Sequence, residues 1–256
     1  MFRLRPLLRH TVPFLGVATA VLVWQVAVIL HPHSLVPGPF ATARAIVELA
    51  QKGLLVRYVV ASLFRVTWGY LSAAALAIPT GIALGLWIRG EAAVSPILQL
   101  LRPISPLAWI PIAILWFGVG DVSAVFLIFL ASFLPLTITA TNAVHNIESV
   151  HLSAGANFGL TRLQLLRSVI VPAILPQLIV GMRITLGIAW LVVVAAEMIA
   201  VNSGLGFLII DARNAGNRYD LVLAGMVLIG VIGVALDAAM RSLERLDFLR
   251  WGYLAE

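Results

Sequence analysis

An all-α protein crossing a membrane about six times is the fold this sequence predicts, and three observations predict it. Of 256 residues, 61% are apolar and only 11% are charged, whereas a soluble domain carries about a quarter of its residues as charges. Apolar runs recur at lengths near the roughly 20 residues that a spanning helix needs. The basic residues cluster at the ends of those runs, where they contact lipid headgroups and set topology. The net charge of +6 therefore forms no single soluble basic patch, which argues against a nucleic-acid partner. With no cysteine, the chain has no disulfide framework, thiolate nucleophile or cysteine zinc site.

The first run, Val12 to Leu30, follows Arg3, Arg5 and Arg9. It is too long for the apolar core of a secretory signal, and no small-residue cleavage pattern precedes His31, so it reads as a retained span. A Pro- and His-rich segment, His31 to Pro39, leads into an amphipathic stretch, Phe40 to Leu55, expected at the membrane interface. The second run extends from about Val59 to Ile88 and the third from Val94 to Phe117, with Arg89, Gly90 and Glu91 between them. The fourth runs from Val122 to Ala143, the fifth from Val169 to Val201 and the sixth from Leu221 to Met240.

Residues 1–256 thus read as one transmembrane domain: 1–58 a first span and an external interfacial segment, 59–245 the core, and 144–168 a cytoplasmic loop. The basic residues set that orientation. Arg3, Arg5, Arg9, Arg89, Arg102, Arg162, Arg167, Arg241, Arg245 and Arg250 fall on one side, and Arg44, Lys52, Arg57, Arg65, Arg213 and Arg218 on the other. The richer side is the cytoplasmic one, so both termini are expected there.

Two spans carry packing signals. Gly69, Ala73, Ala77, Gly81 and Gly85 recur every four residues in the second, a stripe that lets another helix approach closely. The expected partner is another helix of the same subunit. In the third, Pro103, Pro106 and Pro111 remove backbone donors and should break or bend the helix. Carbonyls freed in this way are tolerated beside protein or water, as on the wall of a pathway.

The cytoplasmic loop has a structure of its own. Ser153-Ala154-Gly155-Ala156-Asn157-Phe158-Gly159 is followed by Leu160-Thr161-Arg162-Leu163-Gln164. Thr161 and Gln164 form a T-x-x-Q capping box that starts a second short helix, and Gly159 permits the turn before it.

This loop resembles the coupling loop of ATP-binding-cassette importer permeases, whose pattern is E-A-A, three residues, G, nine residues, then I-x-L-P. Gly159 and Pro172 match in spacing and Ala154 matches the first alanine, while Ser153 stands for the glutamate, Gly155 for the second alanine, Val169 for the isoleucine and Val171 for the leucine. The segment from Leu101 to Pro111 with Trp116-Phe117-Gly118, that from Gly181 to Ile199, and Gly204-Leu205-Gly206-Phe207 are similar to permeases for sulfonates, taurine, nitrate and bicarbonate.

The resemblance implies the type I importer permease fold in a bacterial inner membrane. It implies a transport subunit with no catalytic residue, metal or cofactor of its own, two copies pairing in the lipid bilayer. Each copy would dock one of two ATPase subunits that bind ATP and Mg²⁺, and an external binding protein would deliver a small anion. The ATPase would seat on Ser153, Ala154, Gly155, Gly159, Leu160 and Thr161. Candidates for the solute path are Trp109, Pro111, Arg183, Trp190 and Glu197. Arg183 and Glu197 are ionisable residues in the fifth span, about 21 Å apart at helical rise and so unable to pair with each other.

Rival chemistries are also written in the sequence. Gly118-Val119-Gly120-Asp121 fits the G-x-G-D of intramembrane aspartyl proteases, and Tyr219-Asp220 echoes their Y-D, in reversed chain order. Both aspartates fall at span starts, where an ordinary helix N-cap is expected. A proton-coupled carrier would use Glu197 as its relay. His31 and His33 have no third ligand nearby for a metal. No G-x-x-x-x-G-K-[ST] or G-x-S-x-G motif occurs, so ATP hydrolysis requires another chain.

Overall fold

The small-residue stripe dictates the centre of the fold. In the computed structural model, which describes residues 6–31 and 35–244 (side chains from residue 15 to residue 243), the stripe lies on α3 (Leu54–Leu86) and meets α6 (Asp121–His145). A Cβ on Gly69 would fall 2.7 Å from Ile128 Cβ, one on Gly81 2.5 Å from Ala140 Cβ, and one on Gly85 2.7 Å from Val144 Cβ. Only glycine permits this approach, and the expected seam within one subunit is the one observed. The offset between contacting residues is constant, so α3 and α6 run parallel, and the chain between them has to return across the full thickness of the bundle.

That return is made by α4 (Ile88–Leu101), a 3-10 turn (Pro106–Trp109) and α5 (Ile110–Phe117). The two halves are bent by 85° where Pro103 and Pro106 interrupt the backbone bonding. The third span is therefore broken, as its prolines predict. The break after α3 falls at Trp87, and Arg89, Gly90 and Glu91, expected to separate the spans, lie inside α4.

Antiparallel to α6 runs α9 (Val171–Ala200). It is preceded by α7 (Ser149–Asn157), the single-turn α8 (Arg162–Leu165) and a π-turn (Leu166–Ile170). Then follow α10 (Leu205–Asn214) and α11 (Tyr219–Glu244). At the other end of the chain stand α1 (Pro6–Leu30) and α2 (Pro39–Gln51), whose Thr42, Ala45 and Leu49 are buried. The amphipathic stretch expected at the interface packs this face with Leu208 and Ala224.

Among the described residues, four helical stretches are long and apolar enough to span: Leu54–Leu86, Asp121–His145, Arg162–Ala200 and Tyr219–Leu243. The bent pair is a fifth when counted as one crossing. With α1, a helix of 25 residues whose described apolar part is Leu15–Leu30, these five agree with the expected architecture of about six, the third run being the bent pair rather than a straight helix. Arg3, Arg5, His33, Arg245 and Arg250, and the side chain of Arg9, lie outside the described residues.

The core is built around Leu127, Ile128, Leu136 and Val193. Polar groups within the spans are paired as the absence of water requires. The hydroxyls of Ser132, Thr137 and Thr141 donate to carbonyls one turn back, and Tyr70 on α3 donates to the carbonyl of Met182 on α9 at 2.8 Å. No described buried side-chain polar atom lacks a partner.

Candidate functional site

Two constructions stand at opposite ends of the bundle. The first lies where α6 begins and α9 ends, joined by a bond from the Gly120 N–H to the Ala200 carbonyl at 2.8 Å. Arg65, three turns into α3 and 2% exposed, sends Nη1 to Glu197 Oε1 at 2.7 Å and Nε to Asp121 Oδ1 at 2.8 Å. It also donates to the carbonyl and hydroxyl of Ser203 at 2.8 and 2.5 Å. Glu197 is wholly buried and accepts further bonds from Ser62 Oγ at 2.9 Å and the Gly206 N–H at 3.0 Å. Ser62 in turn accepts the Leu205 N–H at 2.9 Å. One guanidinium thereby fastens α3, α6, α9 and the turn into α10.

This cluster corrects several expectations. Arg65 is no external loop charge. Asp121 is not an N-cap: Gly120 is the residue before α6, with no side-chain cap, and Asp121 spends its carboxylate on Arg65. Asp220 bonds Arg218 at 2.8 Å. The two aspartates answer to different arginines and form no acid dyad. Glu197, surrounded by three donors, is in no arrangement for a proton relay.

Residues expected along the solute path are spread over several roles. Trp190 is buried, its Nε1 donating to the Ile229 carbonyl at 3.0 Å and tying α9 to α11. Arg183 pairs with Asp237 of α11 at 3.1 Å. Trp109 is half-buried against the core, while Pro111 is exposed at the start of α5. The structure does not bring these five together. His31 Nδ1 lies 3.1 Å from the Ala27 carbonyl, and no cluster of three metal-ligating side chains exists among the described residues.

The second construction lies where α6 ends and α9 begins. Thr161 and Gln164 form the capping box in both directions: Gln164 Oε1 accepts the Thr161 N–H at 2.9 Å, and Thr161 Oγ1 accepts the Gln164 N–H at 3.4 Å. Gly159 turns the chain at φ +73°. Ser153, Ala154 and Thr161 are exposed and Leu160 is half-buried, but Gly155 faces inward. A Cβ there would meet Leu165 Cδ1 at 2.5 Å, so Gly155 lets α7 close on the helix that follows and belongs to the inside of the pair. Phe158 is 85% exposed, Val150 68% and Leu163 57%. Beside them a groove of about 570 Å³ is lined by Asn146, Glu148, His151, Phe158 and Gln177, among others.

Outside the spans, a third set of charges binds α2 to the start of α11. Arg218 bonds Glu48 at 2.7 Å as well as Asp220, and Lys52 bonds Glu48 at 2.6 Å. Arg218, and secondarily Lys52, hold the Glu48 carboxyl down at about 2, while the two carboxylates raise Arg218 above its ordinary range.

An all-helical membrane domain with a capped helix pair, α7–α8, between α6 and α9 is the class of protein that this fold defines. The family described as binding-protein-dependent transport system inner membrane component matches residues 77–246, and the chain belongs to it. It is 39% identical over 191 residues to the taurine transport system permease protein of Escherichia coli K12, covering 74% of this chain and 68% of that one. It is 35% identical over 236 residues to a putative aliphatic sulfonates transport permease protein of Bacillus subtilis 168, covering 91% and 85%. The fold matches a chain of the inward-facing methionine ABC transporter MetNI with TM-score 0.66 at 22% identity, covering 77% of this chain and 97% of that one. The protein is thus the permease of an ABC importer, a multi-pass membrane subunit and no enzyme, and ATP hydrolysis falls to a separate subunit. The protease and proton-carrier readings are not supported.

Proposed function

We propose that this permease imports a small oxyanion of the taurine, sulfonate, nitrate or bicarbonate class. Two copies pair in the inner membrane, an external binding protein delivers the solute, and each copy seats one ATPase, with its ATP and Mg²⁺, on the α7–α8 pair. Both termini and that pair face the cytoplasm, as the basic-residue bias directs. The supporting observation is the exposure of Phe158, Val150 and Leu163 on the helix pair between α6 and α9. Apolar side chains gathered on a water-facing element call for a protein partner. Ser153, Ala154, Gly159, Leu160 and Thr161 shape and present that surface, and Gly155 holds it from within. The solute class is taken from the relatives' names and the matching sequence segments.

Gly159→Val tests the docking role. Nothing lies within 4 Å of a Cβ there, so the defect is one of backbone: a β-branched residue at positive φ costs about 1–3 kcal/mol. The variant should insert normally yet lose ATPase co-purification and transport, while Gly159→Asn, which tolerates this conformation, should be milder. Wild-type transport and ATPase coupling in the valine variant would refute the assignment.

A further inference from the structure

Arg102 caps the C-terminus of α4 at the bend of the broken span, its N–H bonded to the Leu98 carbonyl at 3.0 Å. Arg65, Arg183, Arg218 and Arg241 each pair with a carboxylate, whereas Arg102, like Arg57, Arg89, Arg162, Arg167 and Arg213, forms no ion pair among the described residues; what sets Arg102 apart is the pair of clefts it lines. Two adjoining clefts, of about 390 and 480 Å³, have Arg102, Ile138 and Asn142 in common. Their shared wall is the last third of α6, inside the Asp121–His145 span. Ser95 and Gln99 line the smaller cleft, and Thr139 the larger, which reaches Ile188 on α9. The side chains of Asn142 and Thr139 make no hydrogen bond among the described residues, so their donors are available. Glu91, the one carboxylate on either wall, is 3.2 Å from His145 Nε2.

Arg102 is exposed at the break between the two halves of the bent span, so its guanidinium is open to a charged solute from either cleft. Its planar fork matches two oxygens of a sulfonate or nitrate, and an amide and a hydroxyl beside it can donate to a third. A single cation with neutral helpers, in clefts open to exchange, lets the anion leave again, as conduction requires.

We propose that Arg102, with Asn142 and Thr139, is a transit site for the oxyanion head of the solute, handing it between the two clefts past the bend of the third span. The inference rests on the importer reading above and adds the residue that contacts the cargo.

The permease is reconstituted with its ATPase and loaded binding protein in phosphatidylcholine vesicles, and uptake of taurine, ethanesulfonate and nitrate is measured. Arg102→Gln should lower uptake of the transported anion by about tenfold or more, the loss of one charge-assisted hydrogen bond, while ATP hydrolysis stimulated by the binding protein stays near wild type. Arg102→Lys should recover part of the loss, and Asn142→Leu, which keeps the charge, should lower uptake less than Arg102→Gln does. Wild-type uptake in Arg102→Gln overturns the proposal, as does ATP hydrolysis falling in step with uptake, which would make Arg102 a coupling or assembly element. An anionic lipid headgroup presents the same oxygens; a defect that arises only in vesicles containing anionic lipid assigns Arg102 to lipid and also overturns the proposal. If the wild-type complex takes up none of the three anions, nor bicarbonate, the oxyanion reading fails first, and the transit site falls with it.

Discussion

Replacing Arg65 with methionine probes the buried ion cluster most directly, since an unbranched apolar stem is kept while the guanidinium, with its charge and donors, is lost. The variant leaves Glu197, wholly buried, with Ser62 and Gly206 as its remaining donors. Breaking a buried pair from one side costs about 3–5 kcal/mol, because the surviving charge is uncompensated. Glu197→Gln is different: Arg65 keeps Asp121, whose side chain is 59% exposed and screened by solvent, so the loss should approach that of one hydrogen bond to a charged group, about 1.5–3 kcal/mol. Hydrogen bonds between helices in membrane proteins average about 0.6 kcal/mol, so a loss well above that value identifies the stranded charge as its cause. The double variant Arg65→Met, Glu197→Gln removes both charges and should be no less stable than Arg65→Met alone. The assay is unfolding of the purified permease in mixed micelles, followed by helical circular dichroism. An Arg65→Met variant within about 0.5 kcal/mol of wild type, the usual range for inconsequential substitutions, would refute the reasoning, as would a double variant that loses the sum of the two singles.

Two further outcomes follow from the same structure. Gly81→Ala forces α3 and α6 apart, because its Cβ would lie 2.5 Å from both Ala140 Cβ and the Thr137 carbonyl, and should cost about 1–3 kcal/mol; Gly187→Ala, with nothing within 4 Å, should be neutral or stabilising by up to about 1 kcal/mol in the same unfolding assay. Glu48 is held at about 2 in the folded protein against an ordinary 4.5. Its lowered value means that the stabilisation is present above the ordinary value and is lost as pH falls from about 4.5 through about 2; Glu48→Gln should remove this part of the acid dependence of the α2–α11 contact, measured by hydrogen exchange of α2.

Features with a local cause were legible in the sequence. The stripe from Gly69 to Gly85 announces a close helix seam because its spacing follows one helical face, and the Thr161–Gln164 box needs only residues three apart. The prolines announce the break at Arg102 to Ser105, although not its 85° angle, which depends on how α4 and α5 pack. The Arg65–Glu197 bond joins residues 132 positions apart, and no local pattern announces it. One signal was available: Arg65 lies a full turn and more inside the apolar run that begins near Val59, and an arginine so placed requires a partner from another span. At Asp121 the local signal points away from the real partner for a related reason. A helix-starting aspartate suggests a cap, but a buried guanidinium within reach is a stronger claimant than a backbone N–H that water or a turn can satisfy.

The helix pair and α9 are joined without a loop. From Arg162 to Ala200 the backbone stays helical through the π-turn for 39 residues, a rod about 58 Å long at the usual rise. Its far end is pinned by Glu197 to Arg65, Ser62 and Gly206. A rod pinned at one tip and pushed at the other works as a lever: a tilt of roughly 10° about the pin carries the α8 tip through roughly 10 Å over that length. Under the docking proposed above, a push at α8 would reach mid-membrane through α9 itself, and would have to carry along or break the ties of Met182 to Tyr70, Arg183 to Asp237 and Trp190 to the Ile229 carbonyl.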